Sequence, residues 1–287
     1  MGTVDAAVGR LLVCPTPIGN LEDVTLRVLA ALREADVVAC EDTRRARVLL
    51  KRYGLAVKLV SFHEHNERAR TAELLARMGN GATVALVSDA GMPLISDPGF
   101  ALVGACLQAG VALEVLPGPS AVITALVASG LPAERWCFVG FLPRKRAELE
   151  RLLAHATETL IAFESPRRLV ATLELLSGRE PERPAAVCRE LTKLHEEVRR
   201  GSAAELASHY GAGPSATRPI RGEVVLVLGA GRSSTAQPGQ RGREEALAAL
   251  GELVGAGARA RPAAAAVAKL TGIGVNELYR GLMSRGQ

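Results

Sequence analysis

The chain has 287 residues, enough for two domains and a small extra module, and 48% of them are hydrophobic, enough to fill real cores. Aromatic residues make up only 3%, which argues against rows of stacking platforms for single-stranded nucleic acid, and five scattered cysteines without a Cys-x-x-Cys pair read as buried, reduced thiols, not as a disulfide framework or metal centre. The net charge of +5 is uneven: residues 231–287 carry eight basic against four acidic side chains and residues 1–230 carry 27 against 26, a balance that suits a polyanionic partner or a plain solvated surface.

From the start, short apolar runs alternate with helical patterns. Leu11–Val13 reads as a strand, then Thr25–Glu34 as a helix, Val37–Ala39 as a strand and Thr43–Tyr53 as a helix carrying Arg44, Arg45, Arg47, Lys51 and Arg52. Lys58–Ser61 (strand), Asn66–Met78 (helix) and Thr83–Val87 (strand) continue the pattern. Asp97-Pro98 reads as an N-cap and first helical position, opening a helix over Pro98–Gln108, with a strand at Leu113–Val115. The longest apolar stretch, Phe100–Leu113, is too short to span a bilayer and reads as a buried helix running into that strand. The first ten residues contain Asp5 and lack an apolar core, so no signal peptide, no membrane association and a cytoplasmic location are expected. Such alternation predicts an α/β domain over residues 1–118 with a largely parallel sheet.

Leu116-Pro117-Gly118-Pro119-Ser120 breaks the pattern, and a second α/β domain is expected over 119–230. Its strands are Trp136–Gly140, Leu160–Phe163, Ala185–Arg189, Val198–Gly201 and Glu223–Leu228; its helices are Ala147–Ala154, Pro166–Ser177 and Ala203–Ser208. Because several strands follow one another closely, a mixed sheet is expected here. Residues 231–242 read as a linker, and 243–287 as a small basic module of three helices. Within it, Ala266–Arg280, with a glycine turn at Gly272-Ile273-Gly274, fits either a helix-turn-helix or a plain helical cap.

Three loops follow predicted strands and should open at one carboxyl edge of the first sheet, where open α/β folds bind ligands. They are Cys14–Asp23, Ser88–Ile95 and Pro117–Ala121. The first lacks the Gly-x-Gly-x-x-Gly of a dinucleotide site and is stiffened by Pro15 and Pro17, so a pyrophosphate ligand is not expected. Neither Gly-x-Ser-x-Gly nor Gly-x-x-x-x-Gly-Lys-Ser/Thr occurs. His63-Glu64-His65 has no third ligand at useful spacing and reads as a polar loop; no metal is expected.

Taken together with Glu41-Asp42-Thr43-Arg44, Gly140-Phe141-Leu142-Pro143 and Arg189-Glu190-Leu191-Thr192-Lys193, these loops resemble the tetrapyrrole-methylase superfamily, and more closely its bacterial branch of 16S ribosomal RNA ribose 2′-O-methyltransferases. The resemblance runs from about Leu11 to Leu228. It implies two α/β domains with S-adenosylmethionine in the cleft between them, a homodimer, and methylation of a cytidine ribose of 16S ribosomal RNA in the decoding centre of the small ribosomal subunit. By the same resemblance, the cofactor is lined by Pro17, Ile18, Gly19, Asn20, Ser88, Asp89, Ala90, Gly91, Leu94, Ile95, Ser120 and Ala121, and closed from the second domain by Phe141, Leu142 and Leu191. Met92 stands where that branch commonly has threonine and porphyrinoid methylases have aspartate, so its backbone, not its side chain, is expected to contribute.

A ribose hydroxyl is a poor nucleophile and gains from a general base or from a field that stabilises the developing alkoxide. Glu190, a neutral desolvated Lys193, and Asp23 are the candidate catalytic groups, with Asp42 a further carboxylate; an ordinary Glu190–Lys193 ion pair is the alternative. Arg44, Arg45, Arg144, Lys145, Arg167 and Arg168 are candidate contacts to an RNA backbone. Two other functions stay open: methylation of a porphyrin or corrin ring, and RNA binding in assembly without turnover.

Overall fold

The computed structural model describes residues 9–211, 219–231, 240–271 and 273–285. Five strands, β1 (Arg10–Cys14), β2 (Val37–Cys40), β3 (Lys58–Ser61), β4 (Thr83–Val87) and β5 (Ala112–Val115), pair in the order β3-β2-β4-β1-β5, all parallel. Cys14 and Cys40 both lie opposite Val87, so β1, β2 and β4 end level and their following loops open at one edge. Helices α1 (Leu26–Glu34), α2 (Thr43–Arg52), α3 (Glu67–Gly79) and α4 (Phe100–Gln108) form the crossovers. Alternate strand residues serve the two faces. Leu11, Val13, Val84 and Leu86 pack with Leu74, Met78, Leu102 and Cys106, whereas Leu12, Cys14, Ala85 and Val87 pack with Val28, Leu32, Leu49 and Leu50. A sheet buried on both faces needs strands apolar throughout, which explains the unbroken runs in the sequence.

Helix α5 (Ala121–Ser129), capped by Ser120, leads into the second half. There β6 (Trp136–Phe141), β7 (Thr159–Glu164), β8 (Pro184–Arg189), β9 (Glu197–Ser202) and β10 (Val224–Leu228) pair in the order β6-β7-β10-β8-β9. Only β6 and β7 are parallel, so this sheet is mixed as expected. One face carries α6 (Arg146–His155), α7 (Leu169–Arg179) and α8 (Ala203–Gly211) through Leu153, Leu169, Leu173 and Leu206. On the other face lie Val122, Ala125 and Leu126 of α5, joined by Ile18 from the first half and by Leu191.

Several expectations are corrected. Helix α4 starts at Phe100, with Gly99 (φ 134°) as its N-cap, and not at Pro98. The amides of Gly99 and Ala101 are taken by Glu67 Oε1 from the start of α3, which leaves Asp97 outside the helix. Nor is α4 a buried helix: only Leu102 and Cys106 are fully buried, with Val103 partly so, while Phe100 is 82% and Leu107 62% exposed, because one face alone meets the core. Four cysteines are buried, but Cys137 is exposed, since β6 is an edge strand.

Beyond residue 231 a separate compact unit follows. Helices α9 (Gln240–Gly255), α10 (Ala260–Thr271) and α11 (Val275–Arg285) bury Leu247, Leu250, Ala264, Val267 and Leu278 among themselves. Residues 240–242, expected in the linker, are already helical, and most of that linker, like Gly272, lies outside the described residues.

Candidate active site

The three first-half loops are held by backbone bonds and close approaches. Thr16 and Gly91 exchange both N–H···O bonds at 2.9 Å, tying the β1 loop to the β4 loop. Thr16 Oγ1 donates to the carbonyl of Ser88, and Ser88 Oγ to that of Gly91, each at 3.0 Å. Leu94 (φ 73°) and Ser96 (φ 66°) take left-handed backbone that side chains disfavour, a strain that persists only where surroundings impose it. The effect is to turn Leu94 and Met92 into the first-sheet core and to leave Ile95, Ser96 and Asp97 facing the second half.

The two halves touch at Gly19. A Cβ there would lie 2.5 Å from Lys193 Cγ and 2.7 Å from the Leu191 carbonyl oxygen, so only glycine fits. Next to it the Asn20 amide donates to Thr192 Oγ1 at 3.0 Å, and the Asn20 side chain accepts from the Glu22 amide. On the second side, Glu190 (φ 50°) and Thr192 (φ 65°) are again left-handed. Lys193 Nζ donates to Glu190 Oε1 at 2.7 Å and to Glu223 Oε2 at 3.1 Å.

A cavity of about 420 Å³ opens between the halves, walled by Ile18, Ala90, Ile95, Ala121, Phe141 and Phe163, with Asp97 and Glu223 among its polar groups. An adjoining one of about 270 Å³ shares Ile18, Ala90 and Glu223 with it and extends past Pro17, Gly19, Ser88, Asp89, Arg45 and Lys193. Asp23 lines a third hollow with Thr192, Gly118 and Pro119. Gly91 contributes through its bridge to Thr16, and Ser120 caps α5 by accepting from the Ile123 amide.

Electrostatics separate the titratable groups. Burial acts to lower Lys193, but its bonds to Glu190 and Glu223 and their charges outweigh this and raise it. The neutral Lys193 expected as a proton acceptor is therefore corrected: between two carboxylates it stays cationic. Burial acts to raise Glu190, yet the bonds from Lys193 and the Glu223 amide bring it below its ordinary value, so it too is a poor proton acceptor. Arg44 holds Asp42 down to about 2. Asp97 goes the other way: burial first, then Glu41, push it up to about 6, with the nearby Ser88 hydroxyl acting against them.

Two further expectations are corrected. The Leu142 side chain, 2% exposed, packs into the core on the far face of the second sheet, because β6 ends there and the pleat turns it away from Phe141. Arg168 is occupied: it donates to the carbonyls of Leu142 (3.2 Å) and Pro143 (2.7 Å) and pairs with buried Glu164. The other basic residues are more available. Arg167 is exposed, Arg44 pairs with Asp42, Arg45 with Asp89 and Lys145 with Glu148, and Arg144 lines a hollow with Arg146. Asp97, Glu223 and Phe163 were missed as cavity residues. The Ser-Asp-Pro-Gly run did signal Asp97, but as a helix cap, and nothing local marks the other two.

Residues 10–207 match the family model of tetrapyrrole (corrin/porphyrin) methylases. The chain is 48% identical to the ribosomal RNA small subunit methyltransferase I of Mycobacterium bovis, over 94% of this chain and 93% of that protein. It is 44% identical to the protein of that name from Thermotoga maritima, over 77% of this chain and 98% of the relative, so about a quarter of this chain has no counterpart there. Among solved structures, uroporphyrin-III C-methyltransferase of Thermus thermophilus superposes with a TM-score of 0.53 at 25% identity, covering 77% of this chain and 94% of that one. With two α/β halves and a cleft between them, the chain belongs to the tetrapyrrole methylase family, alongside the small-subunit ribosomal RNA methyltransferases I.

Proposed function

We propose that this protein transfers a methyl group from S-adenosylmethionine to the ribose 2′-hydroxyl of a cytidine in the decoding centre of 16S ribosomal RNA, acting on the small ribosomal subunit in the cytoplasm. The observation that carries this reading is the 48% identity to a ribosomal RNA methyltransferase across nearly the whole chain. The likeness to a uroporphyrin methylase supports the fold, not that substrate.

The larger cavity suits the cofactor. Its volume falls within the usual range for small-molecule sites, its apolar walls suit an adenosine, and Asp97, Ser96 and the 88–97 backbone offer polar partners. When bound, S-adenosylmethionine supplies an activated methyl on a cationic sulfur. The chain's part is to position and to stabilise charge. The Thr16–Gly91 bridge ties the first-half loops together and Gly19 seats them against the second half, and positioning supplies much of the rate of an in-line displacement. Lys193, kept cationic and lining the adjoining cavity with Arg45, stabilises negative charge developing on the ribose oxygen. Arg44, Arg144, Lys145 and Arg167 lie at or near the surface and suit phosphate contacts. Phe100 and Leu107 on α4 and Val115 on edge strand β5 leave apolar surface uncovered, which supports the homodimer and is checked by light scattering on the eluting protein.

The test is incubation with methyl-labelled S-adenosylmethionine and small subunits lacking the modification, with the label mapped by nuclease digestion and mass spectrometry. A single labelled ribose 2′-oxygen is expected. Label on a base would overturn the 2′-hydroxyl assignment, and no label despite cofactor binding would overturn the RNA substrate.

A further inference from the structure

Asp97 lines the larger cavity from the first half. The other carboxylates lining this cavity and the adjoining one have cations: Glu223 has Lys193, Glu164 has Arg168 and Asp89 has Arg45. Among the described residues Asp97 has none, and the Ser88 hydroxyl is what acts to favour its charged form. Ser96 beside it rests against Gly140 of the second half, 3.7 Å from where a Cβ would stand, which brings this segment next to Phe141. Phe141, 65% exposed although apolar, tilts against Phe163 with ring centres 5.4 Å apart, and both rings line the same cavity.

We propose that Asp97, together with the faces of Phe141 and Phe163, receives the sulfonium centre of the cofactor, so that the cavity distinguishes the charged cofactor from its neutral demethylated product. A sulfonium is a soft cation with three carbon substituents. It keeps little water and is well served by aromatic faces and one unpaired carboxylate. Once the methyl leaves, the sulfur is a neutral thioether and loses both attractions, which favours release of the product. The inference rests on the cofactor assignment proposed for this cavity.

Without a cation nearby, Asp97 faces Glu41, Asp89 and Glu223, and its ionisation lies near pH 6. Lys193 and Arg45 stand on two of those carboxylates, not on Asp97. A cationic ligand would draw Asp97 to its charged form, so binding near pH 6 should release a proton.

The experiment is titration calorimetry on the full chain with S-adenosylmethionine and S-adenosylhomocysteine, at pH 7.5 and, near pH 6, in two buffers of different ionisation enthalpy. Wild type, Asp97→Asn and Phe141→Leu are compared. Asp97→Asn should weaken the charged cofactor about tenfold or more and the neutral product by less than about threefold. Phe141→Leu, at an exposed position, should do the same more weakly. Proton release near pH 6 should accompany the charged ligand only and vanish in Asp97→Asn. Equal weakening of both ligands would overturn the inference, because the carboxylate would then hold the ammonium they share. Unchanged binding of both would overturn it as well. If neither ligand binds wild type, the cofactor assignment fails with it. If both bind as expected but no RNA is methylated, only the substrate reading fails.

Discussion

In the first half of the core, five parallel strands deliver their loops to one edge, and those loops are tied by backbone: the Thr16–Gly91 bridge, the left-handed Leu94 and Ser96, the close approach at Gly19. In the second half, four of the five strands take part in antiparallel pairing, and the cleft-facing turns are tied by side chains: Arg168 on two carbonyls and Glu164, Lys193 between Glu190 and Glu223. Parallel topology brings the loops to one edge, whereas antiparallel pairing sends successive strand ends to opposite edges, and here side-chain struts aim the cleft-facing turns. The first half should therefore be intolerant of added bulk and the second of a removed partner.

The strongest way to break that contrast is Gly19→Val. It forces backbone as well as side chains apart at the contact between the halves, and methyl transfer should fall at least a hundredfold with the secondary structure unchanged by circular dichroism. Arg168→Ala tests the second half. It strips the cation from Glu164, whose side chain is 1% exposed, and frees the Leu142–Pro143 turn; denaturant unfolding should show a loss of about 2–4 kcal/mol.

Asp97→Asn sharpens the comparison from the other direction, since among the described residues Asp97 has no cationic partner. Folded Asp97 keeps its proton up to about pH 6, whereas the unfolded carboxyl releases it near its ordinary value of 3.8. Wild type therefore loses this contribution to stability as pH rises from about 4 to 6. The variant does not, and without cofactor it should gain on wild type by about 2 kcal/mol across that window in melting experiments. The smallest effect belongs to Arg144→Ala. This side chain has no partner among the described residues, so stability should change by less than about 0.5 kcal/mol, while the salt dependence of RNA binding should fall by about one unit of slope.

Much of this molecule is legible in the chain because its signals are local. The run Val84–Val87 is apolar on both faces and reads as a buried strand, and the small residues of Ser88–Gly91 mark the loop after it. Thr25, Asp42 and Ser120 cap α1, α2 and α5 with side-chain bonds that depend on residues two or three positions away. Where sequence reasoning erred, a distant group had intervened. Glu67, thirty residues upstream of Asp97, takes the amides that Asp97 was expected to cap. Leu142 is apolar and adjacent to Phe141, and only the pleat decides which of the two faces the cleft.

The sequence by itself determined the order of the elements, the three loops at one sheet edge and the family, since each depends on neighbours along the chain. Tertiary structure alone decided the strand order, the recruitment of Phe163 and Glu223 to the cavity, and the charges within it. Lys193 is held cationic by Glu190 and by Glu223, which stands just before β10, and Asp97 is pushed up to about 6 by burial first and then by Glu41 from the end of β2. Charge state follows from what surrounds a group in space, and sequence distance does not encode that.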